Sequence, residues 1–238
     1  VGAPYGDGSG NGMSASGEVH LYTFSNSTFS GGELAATIGH GYSGARSSFN
    51  QNLDSGDYFG DAVALDGNRL AVGAMYDDGY NNSRGYSGAV YLYSFTDSSF
   101  SGAALEAIVG HGYSGGKNIN QSLGTSDYFG WGVALDGNRL AVGSYYGDGY
   151  NNGRSNSGEV YLYTFSNSTF SGGNLAGMIG HGYTGGKNIN QSLDTSDVFG
   201  AALSLDGNRL VVGAPYGDGS GNSRSGSGEI YLYTFMDS

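Results

Sequence analysis

A nine-residue motif that recurs at a fixed spacing constrains this chain more than any other feature. The motif Leu-Asp-Gly-Asn-Arg-Leu-Ala-Val-Gly begins at Leu65 and at Leu135, and it returns 70 residues later at Leu205 with Val in place of Ala. A truncated fourth copy opens the chain, where residues 1–8 are identical to residues 212–219. Self-similarity at such a period is typical of repeat proteins, in which each unit buries its apolar face against the next. The sequence therefore predicts four copies of one structural unit.

The composition favours an all-β chain. Glycine supplies 47 of 238 residues, and 20 tyrosines and 11 phenylalanines accompany it. Disordered chains lack aromatic residues at this level, and the absence of a Gly-X-Y period excludes collagen. Abundant glycine with aromatic residues and few helix formers indicates many short strands joined by tight turns.

The charge excludes one class of partner. The formal net charge is −12, so we expect no nucleic-acid binding, because phosphate recognition needs clustered Lys and Arg. No apolar run approaches the length of a membrane-spanning helix, so we do not expect the chain to span a membrane. The absence of cysteine leaves the compartment open. Because the chain opens within a repeat and without Met, we expect it to be a portion of something longer.

One repeat, residues 127–196, contains four predicted strands. Their predicted bounds are 127–135 for strand A, 139–144 for strand B, 159–165 for strand C and about 175–180 for strand D. Asp136-Gly137-Asn138 separates strands A and B, and Asp-Gly between apolar runs is a strong hairpin signal. Residues alternate along strand C, which places Val160 on one face and Tyr161 on the other.

Four antiparallel strands of this kind form a meander that cannot bury both of its faces alone. Stacking of copies buries them, which predicts blades of the β-propeller type, each a four-stranded antiparallel sheet, with a repeat of about 70 residues. A β-solenoid is the alternative, but its coils are usually shorter than about 30 residues. We expect one repeat domain with blades at approximately 1–56, 57–126, 127–196 and 197–238. The first lacks strand A and the last lacks strand D, so either further chain or a neighbouring copy would complete them.

A pair of short signatures resembles a known family. Phe-Gly occurs at residues 59–60, 129–130 and 199–200, and about a dozen residues later come Val72-Gly73-Ala74, Val142-Gly143-Ser144 and Val212-Gly213-Ala214-Pro215. This pattern resembles FG-GAP repeat proteins, which include the β-propeller of integrin α-subunits and many bacterial surface proteins. The resemblance implies a propeller, an extracellular setting, and adhesion or ligand binding. The calcium loop of that family between strands A and B is replaced here by a turn too short to wrap an ion.

The loop between strands B and C is the best candidate for chemistry. Each copy offers an Asp and, four residues later, an Asn, whose oxygens suit calcium. The candidate calcium ligands are Asp7, Asn11, Asp78, Asn82, Asp148, Asn152, Asp218 and Asn222. Each loop supplies few carboxylates, so acids of strand A such as Asp57, Asp127 and Asp197 would have to complete the shell. The alternative is an array of turns in which Asp and Asn serve only the backbone.

The same loops carry tyrosines that suit sugar rings, because an aromatic face can stack while neighbouring amides and carboxylates hydrogen-bond. The candidate ligand-binding residues are Tyr76, Tyr80, Tyr146, Tyr150 and Tyr216. The alternative is that these rings pack against the neighbouring blade.

Near-identical copies argue against an enzyme, because catalysis needs one asymmetric constellation whereas repetition favours avidity or scaffolding. We therefore predict a non-catalytic extracellular structural or adhesive repeat protein, a blade array in a cell-surface or secreted assembly such as a fibre or layer. The alternative is a lectin-like propeller with one shallow carbohydrate site per blade. No cofactor is required by either interpretation, and calcium is a candidate. The expected partners are copies of the chain or the rest of a longer chain, and glycans under the alternative.

Overall fold

The computed structural model describes residues 1–43 and 49–236, and these residues form four β-sheets that follow one another along the chain. Blade 1 contains β1 (Gly2–Ala3), β2 (Glu18–Thr23), β3 (Glu33–Gly39) and β4 (Phe49–Asn50). Blade 2 contains β5 (Phe59–Asp66), β6 (Arg69–Ala74), β7 (Ala89–Ser94), β8 (Ala104–Gly110) and β9 (Ile119–Asn120). Blade 3 contains β10 (Phe129–Asp136), β11 (Arg139–Ser144), β12 (Glu159–Thr164), β13 (Asn174–Gly180) and β14 (Ile189–Asn190). Blade 4 contains β15 (Ala202–Asp206), β16 (Arg209–Ala214) and β17 (Glu229–Thr234).

The all-β fold and the antiparallel A-B-C-D order are confirmed, with β10, β11, β12 and β13 as the four strands of blade 3. Residues 44–48 of the predicted first blade and 237–238 of the fourth lie outside the described residues. Among those described, no helix has the length and apolar character needed to cross a membrane.

Each of the first three sheets has an additional strand that the sequence does not predict. The connection after strand D turns back and pairs in parallel with it over two residues, as Ile119 does with Val109 and Ile189 with Ile179. Ile119 packs against the core between blades 2 and 3, which holds the connection against the sheet. The segment that follows strand D therefore forms the outer edge of each of these three sheets.

The turn between strands A and B is one residue shorter than the three-residue turn that the sequence suggests. Asp136 pairs with Arg139, which leaves only Gly137 and Asn138 between the strands. Gly137 has φ of 54°, a left-handed conformation that favours glycine in two-residue hairpins. Such a turn has no room to surround a cation.

The hydrophobic cores lie between the blades. Tyr161 and Tyr163 pack with Val90 and Leu92 of blade 2, whereas Val160 packs with residues of blade 4. The predicted alternation along strand C is thus confirmed, and each face of one strand belongs to a different interface. Stacking buries both faces of an internal blade, which a lone meander could not achieve.

The Phe-Gly pairs bring neighbouring backbones into direct contact. A Cβ atom built on Gly73 would lie 2.0 Å from the carbonyl oxygen of Gly130 in the next blade, and Gly143 meets Gly200 at the same distance. Gly130 itself has φ of 94°, a conformation in which a side chain would be strained. The glycines of strands A and B therefore permit the close approach of neighbouring sheets.

The Leu-Asp-Gly-Asn-Arg-Leu motif forms a second link between blades. A carboxylate oxygen of Asp66 accepts a hydrogen bond from the backbone N–H of Gly137 at 2.9 Å, and Asp136 does the same for Gly207 at 2.9 Å. Arg69 is buried, donates to the carbonyl of Gly137 and pairs with Asp66. We call this arrangement of one turn on the next the turn clamp.

Candidate functional site

The loop between strands B and C contains a tight turn over Tyr80–Asn82 in blade 2 and Tyr150–Asn152 in blade 3. The backbone N–H of Tyr80 donates to the carbonyl of His111, so the loop rests on the end of strand D. The four asparagines that are candidate calcium ligands all have φ between 52° and 55°, and they are Asn11, Asn82, Asn152 and Asn222. Asparagine tolerates this left-handed conformation better than most residues, which accounts for its recurrence without a ligand.

The aspartates of these loops hold the backbone. Asp148 accepts a hydrogen bond from the N–H of Asn156 at 2.8 Å, and Asp78 accepts one from Tyr86 at 2.7 Å. In the same way, Asp7 accepts a hydrogen bond from the N–H of Ala15 at 2.8 Å, and Asp218 accepts one from the N–H of Gly226 at 2.7 Å. A bond across eight residues closes the loop in every blade, which is the turn-closing role that the sequence left open as the alternative.

The acids of strand A lie close to these loops but also serve the backbone. Asp57 accepts a hydrogen bond from the N–H of Asp54 at 2.7 Å. Burial, and then the neighbouring charge of Asp77, raise the pKa of Asp57 to about 7. Burial likewise raises the pKa of Asp127 and of Asp197. Across residues 1–43 and 49–236, no three His, Cys, Asp or Glu side chains are grouped so that they could hold a metal ion.

A buried carboxylate bound by two tyrosines lies beneath the loop of blade 3. Glu159 is only 3% exposed, and it accepts hydrogen bonds from the hydroxyls of Tyr161 and Tyr183, both at 2.6 Å. Burial raises the pKa of Glu159 to about 7, and the charges of Asp127 and Asp148 add to the rise while the tyrosine bonds oppose it. Because Tyr183 follows strand D, the cluster ties the outer connection of the blade to strand C.

Blade 2 builds the same cluster from a different position. There the glutamate is replaced by Ala89, and the acid is Asp77 on the loop, which is buried and accepts the hydroxyl of Tyr91 at 2.6 Å. The hydroxyl of Tyr113 approaches the two oxygens of Asp77 at 3.1 and 3.2 Å. Compared with blade 3, the carboxylate of blade 2 lies on the loop instead of on strand C, whereas the two tyrosines occupy equivalent positions.

Steric exclusion explains why the two positions change together. Gly147 of blade 3 takes the place of Asp77, and a Cβ atom built on Gly147 would lie 2.5 Å from Cγ of Glu159. The loop position of Gly147 must therefore be glycine when strand C carries Glu159. In blade 2, Ala89 on strand C leaves room for the side chain of Asp77 on the loop. Our sequence predictions missed this cluster, although the paired exchange is visible when the repeats are aligned.

Blade 1 carries a histidine in the cluster in place of the first tyrosine. The ring nitrogens of His20 lie 3.1 Å from a carboxylate oxygen of Glu18 and 3.2 Å from the hydroxyl of Thr37. Thr37 is buried, and it takes the place of Ile108 in blade 2 and Met178 in blade 3. The three side chains satisfy one another on a face that has no neighbouring blade in the structure.

Aromatic rings form a continuous row across the first three blades. Tyr58 lies 4.9 Å from Tyr5 and 4.7 Å from Tyr76 between ring centroids, and Tyr128 lies 5.1 Å from both Tyr76 and Tyr146. The row continues to Tyr145 at 4.6 Å and to Trp131 at 4.1 Å. We call these rings, from Tyr5 to Trp131, the tyrosine row.

The row depends on an unfavourable backbone conformation. Tyr58 and Tyr128 have φ of 57° and 53°, and a bulky residue in the left-handed region is a genuine outlier. Both follow the acid of strand A and precede the buried phenylalanine of the Phe-Gly pair. The conformation therefore accompanies a tight chain reversal and leaves the two rings half-buried.

The five predicted ligand-binding tyrosines do not form one kind of site. Tyr76 and Tyr146 are half-buried members of the tyrosine row. Tyr216 is exposed and lies beside Tyr145, whose pKa is raised by burial and by this neighbour. Tyr80 and Tyr150 are exposed, but each packs edge-on, at 5.9 Å, against Tyr113 or Tyr183 of its own blade. The structure therefore separates a row that crosses blades from the exposed loop tyrosines of blades 2 and 3, which Ser9 and Ser220 replace in blades 1 and 4.

These features define an all-β array of stacked, propeller-type blades whose interfaces are built on Phe-Gly and Val-Gly backbone contacts. The model of the FG-GAP repeat family matches residues 51–93, 123–163 and 193–233, which together make up more than half of the chain. The protein belongs to the FG-GAP repeat family. No curated protein matches the chain.

Proposed function

We propose that the chain is a non-catalytic structural or adhesive repeat protein of a cell-surface or secreted assembly, such as a fibre or layer. The observation that carries the proposal is the apolar character of the two end faces of the array. On blade 4, Ile230 and Leu232 are 73% and 78% exposed, whereas Val90 and Leu92 at the same positions of blade 2 are fully buried. Exposed apolar patches of this kind mark interaction sites.

The opposite end offers the complementary surface. Tyr22, Phe24 and Phe29 of blade 1 are exposed, and Phe29 is 76% exposed, whereas the corresponding Phe100 of blade 2 packs into the core with blade 1. Inside the array, aliphatic residues on strand C of one blade pack with aromatic residues of the next blade. Contacts between unlike ends generate rings or open filaments, so the partners we propose are other blades of this repeat, from copies of the chain or from a longer chain.

The polar groups also favour a scaffold over an active site. The loop aspartates recur in all four blades and the strand-A acids in blades 2 to 4, both hold backbone N–H groups, and the buried carboxylates bind tyrosine hydroxyls. Such side chains are committed to structure in every copy. FG-GAP repeats are typical of surface proteins, which supports an extracellular or cell-surface location.

Two measurements test the proposal together. Antibody against the chain should label the outside of intact producing cells, and the purified protein should self-associate or bind those cells in a concentration-dependent way. Leu232→Glu should weaken the association, while Tyr150→Ala, which alters an exposed residue away from the end faces, should not. A strictly monomeric protein confined to the cell interior would contradict the proposal.

A second candidate function is carbohydrate binding, which the tyrosine row favours because it gathers half-buried aromatic rings from three blades in one continuous row. A glycan array with the intact protein tests it. Loss of binding in Tyr146→Ala would place the sugar on the row, and loss in Tyr150→Ala would place it on the loop between strands B and C. Binding that survives both substitutions, or no binding at all, would exclude these sites.

A further inference from the structure

The tyrosine row stays continuous although the residues that form it change from blade to blade. Tyr128 connects the rings of blades 2 and 3. Val198 occupies the same position in blade 4 and offers no ring. There Tyr145 makes the connection instead, because its ring lies 4.6 Å from that of Tyr146, between centroids, and beside Tyr216 of blade 4. A phenol that is absent from one position is thus supplied by another.

Blade 2 connects the row to solvent through a further tyrosine. Tyr86 is 51% exposed, and its ring centroid lies 5.3 Å from that of Tyr76. Its φ is 53°, and the equivalent residues of the other blades are the smaller Ala15, Asn156 and Gly226. A bulky residue in this left-handed conformation is an outlier, and such strain is concentrated at functional sites. An oxidant that takes an electron from Tyr86 can thereby draw one from the half-buried Tyr76.

We propose that the tyrosine row is a site of oxidative cross-linking, at which a haem peroxidase with hydrogen peroxide joins Tyr76 to Tyr128 as dityrosine. The two rings belong to blades 2 and 3, and their centroids lie 5.1 Å apart at an interplanar angle of 88°. Rings at this separation are in contact, so two radicals formed on them need no large movement to meet. The modification adds a covalent link between blades to the proposed structural function and does not depend on that function.

The coupling removes two electrons and two protons from the pair of tyrosines. Each phenol gives one electron to the oxidant and its hydroxyl proton to water, which leaves a phenoxyl radical. The two radicals form a C–C bond between ring carbons ortho to the oxygens, and the hydrogens on those carbons shift to the oxygens and restore both phenols. Hydrogen peroxide takes up the two electrons and two protons and is reduced to two molecules of water.

A tryptic digest can report this bond because the sequence separates the two rings. Tyr128 is the single tyrosine of peptide 118–139, and Tyr76 shares peptide 70–84 with Tyr80 alone. The full chain, diluted until it is monomeric, is treated with a haem peroxidase and hydrogen peroxide and then digested. We expect the blue fluorescence of dityrosine and a species in which these two peptides are joined, lighter than their sum by two hydrogen atoms. Fragmentation should place the bond on Tyr76 and not on Tyr80.

Two substitutions separate ring contact from exposure. Tyr128→Phe keeps a ring and removes the phenol, so the joined peptides should disappear and the dityrosine fluorescence should fall. Tyr80→Phe removes an exposed phenol that lies outside the row, and it should leave both signals unchanged. Should Tyr128→Phe not fold, the fragmentation of the unaltered chain still decides between the half-buried Tyr76 and the exposed Tyr80.

Stability provides a second measurement. The cross-linked chain should unfold at a higher denaturant concentration than the untreated chain, because a bond between residues 76 and 128 restricts the unfolded state. The inference is wrong if no dityrosine forms, if the bonds lie only on exposed tyrosines such as Tyr80 and Tyr150, or if they join only separate copies. A protein found only inside cells would count against the proposed surface location and would leave the cross-linking result unchanged.

Discussion

The carboxylate of Asp66 accepts a hydrogen bond from the backbone N–H of Gly137, in the next blade, at 2.9 Å. The same bond joins Asp136 to Gly207. The Asp-Gly-Asn-Arg turn therefore has two roles, since its glycine makes the hairpin possible while its aspartate fixes the position of the following hairpin. This second role accounts for the recurrence of Asp and Arg, which a turn alone would not require.

We predict that Asp136→Ala lowers the free energy of unfolding by about 1–2 kcal/mol, because it leaves the N–H of Gly207 without its partner. Asp206→Ala is the matched control, since Asp206 occupies the same turn position and pairs only with Arg209 among the described residues. Its effect should stay within about 0.5 kcal/mol, as is usual for exposed ion pairs. Denaturant unfolding measures the free energy of unfolding of both variants. Equal losses would show that the hydrogen bond between Asp136 and Gly207 does not stabilise the contact between blades.

The buried carboxylate clusters of blades 2 and 3 should be interchangeable. Asp77→Gly removes the acceptor of Tyr91 and Tyr113, and we expect a loss of about 1–3 kcal/mol. Adding Ala89→Glu should recover most of that loss, because it recreates the arrangement of Gly147 and Glu159. A double-mutant cycle gives the coupling between the two sites. If the effects of Asp77→Gly and Ala89→Glu on the free energy of unfolding are additive, the two positions are not alternative sites for one carboxylate.

Glu159 should make stability depend on pH. Its pKa is raised from 4.5 to about 7 in the folded protein, so the folded state holds the proton more tightly than the unfolded state. Stability from this group is therefore present below about pH 4.5 and is lost as the pH rises toward about 7, with a slope of at most about 1.4 kcal/mol per pH unit.

The variant Glu159→Gln has no such proton, so its stability should fall less between pH 5 and pH 8 than that of the original chain. Glu33→Gln, at an exposed position, is the control and should leave the profile unchanged. Thermal melts across this range provide the measurement. Parallel profiles for Glu159→Gln and the original chain would contradict the assignment of the proton to Glu159.

The loop aspartates should stabilise the fold without a metal. Asp148→Asn keeps an oxygen to accept the N–H of Asn156, so we expect its melting temperature to match that of the original chain in calcium and in EDTA. Asp148→Ala loses that acceptor and should cost about 1 kcal/mol in both buffers. A melting temperature that calcium raises in the original chain but not in Asp148→Asn would instead establish a calcium site.

The elements with strong local signals could be predicted from the sequence. The predicted bounds of strand B, Arg139–Ser144, match β11, and the alternation of Val160 and Tyr161 gave the correct faces of strand C. These features depend on residues close together in the chain. The stacking of blades followed from the 70-residue period, because a sheet with two apolar faces needs two neighbours.

The remaining features depend on contacts between distant residues. The bond from Gly137 to Asp66 joins residues 71 positions apart and is set by how one blade sits on the next. The strand at Ile119 is two residues long and has no periodicity to reveal it. The left-handed conformation of Tyr128 is enforced by its surroundings and not by its residue type. The sequence does show that the acid lies on the loop in blade 2, as Asp77, and on strand C in blade 3, as Glu159. Only the geometry shows that both acids occupy the same buried cluster with two tyrosines.

The contact of Gly73 with Gly130, repeated by Gly143 with Gly200, has a consequence for how such chains change in length. A complete repeat carries one half of an interface on its Val-Gly strand and the other half on its Phe-Gly strand, as blades 2 and 3 do. Recombination between repeats that inserts or removes one whole period therefore joins matching halves wherever it occurs. Loss or gain of part of a period leaves unmatched halves, so selection on folding acts on whole blades.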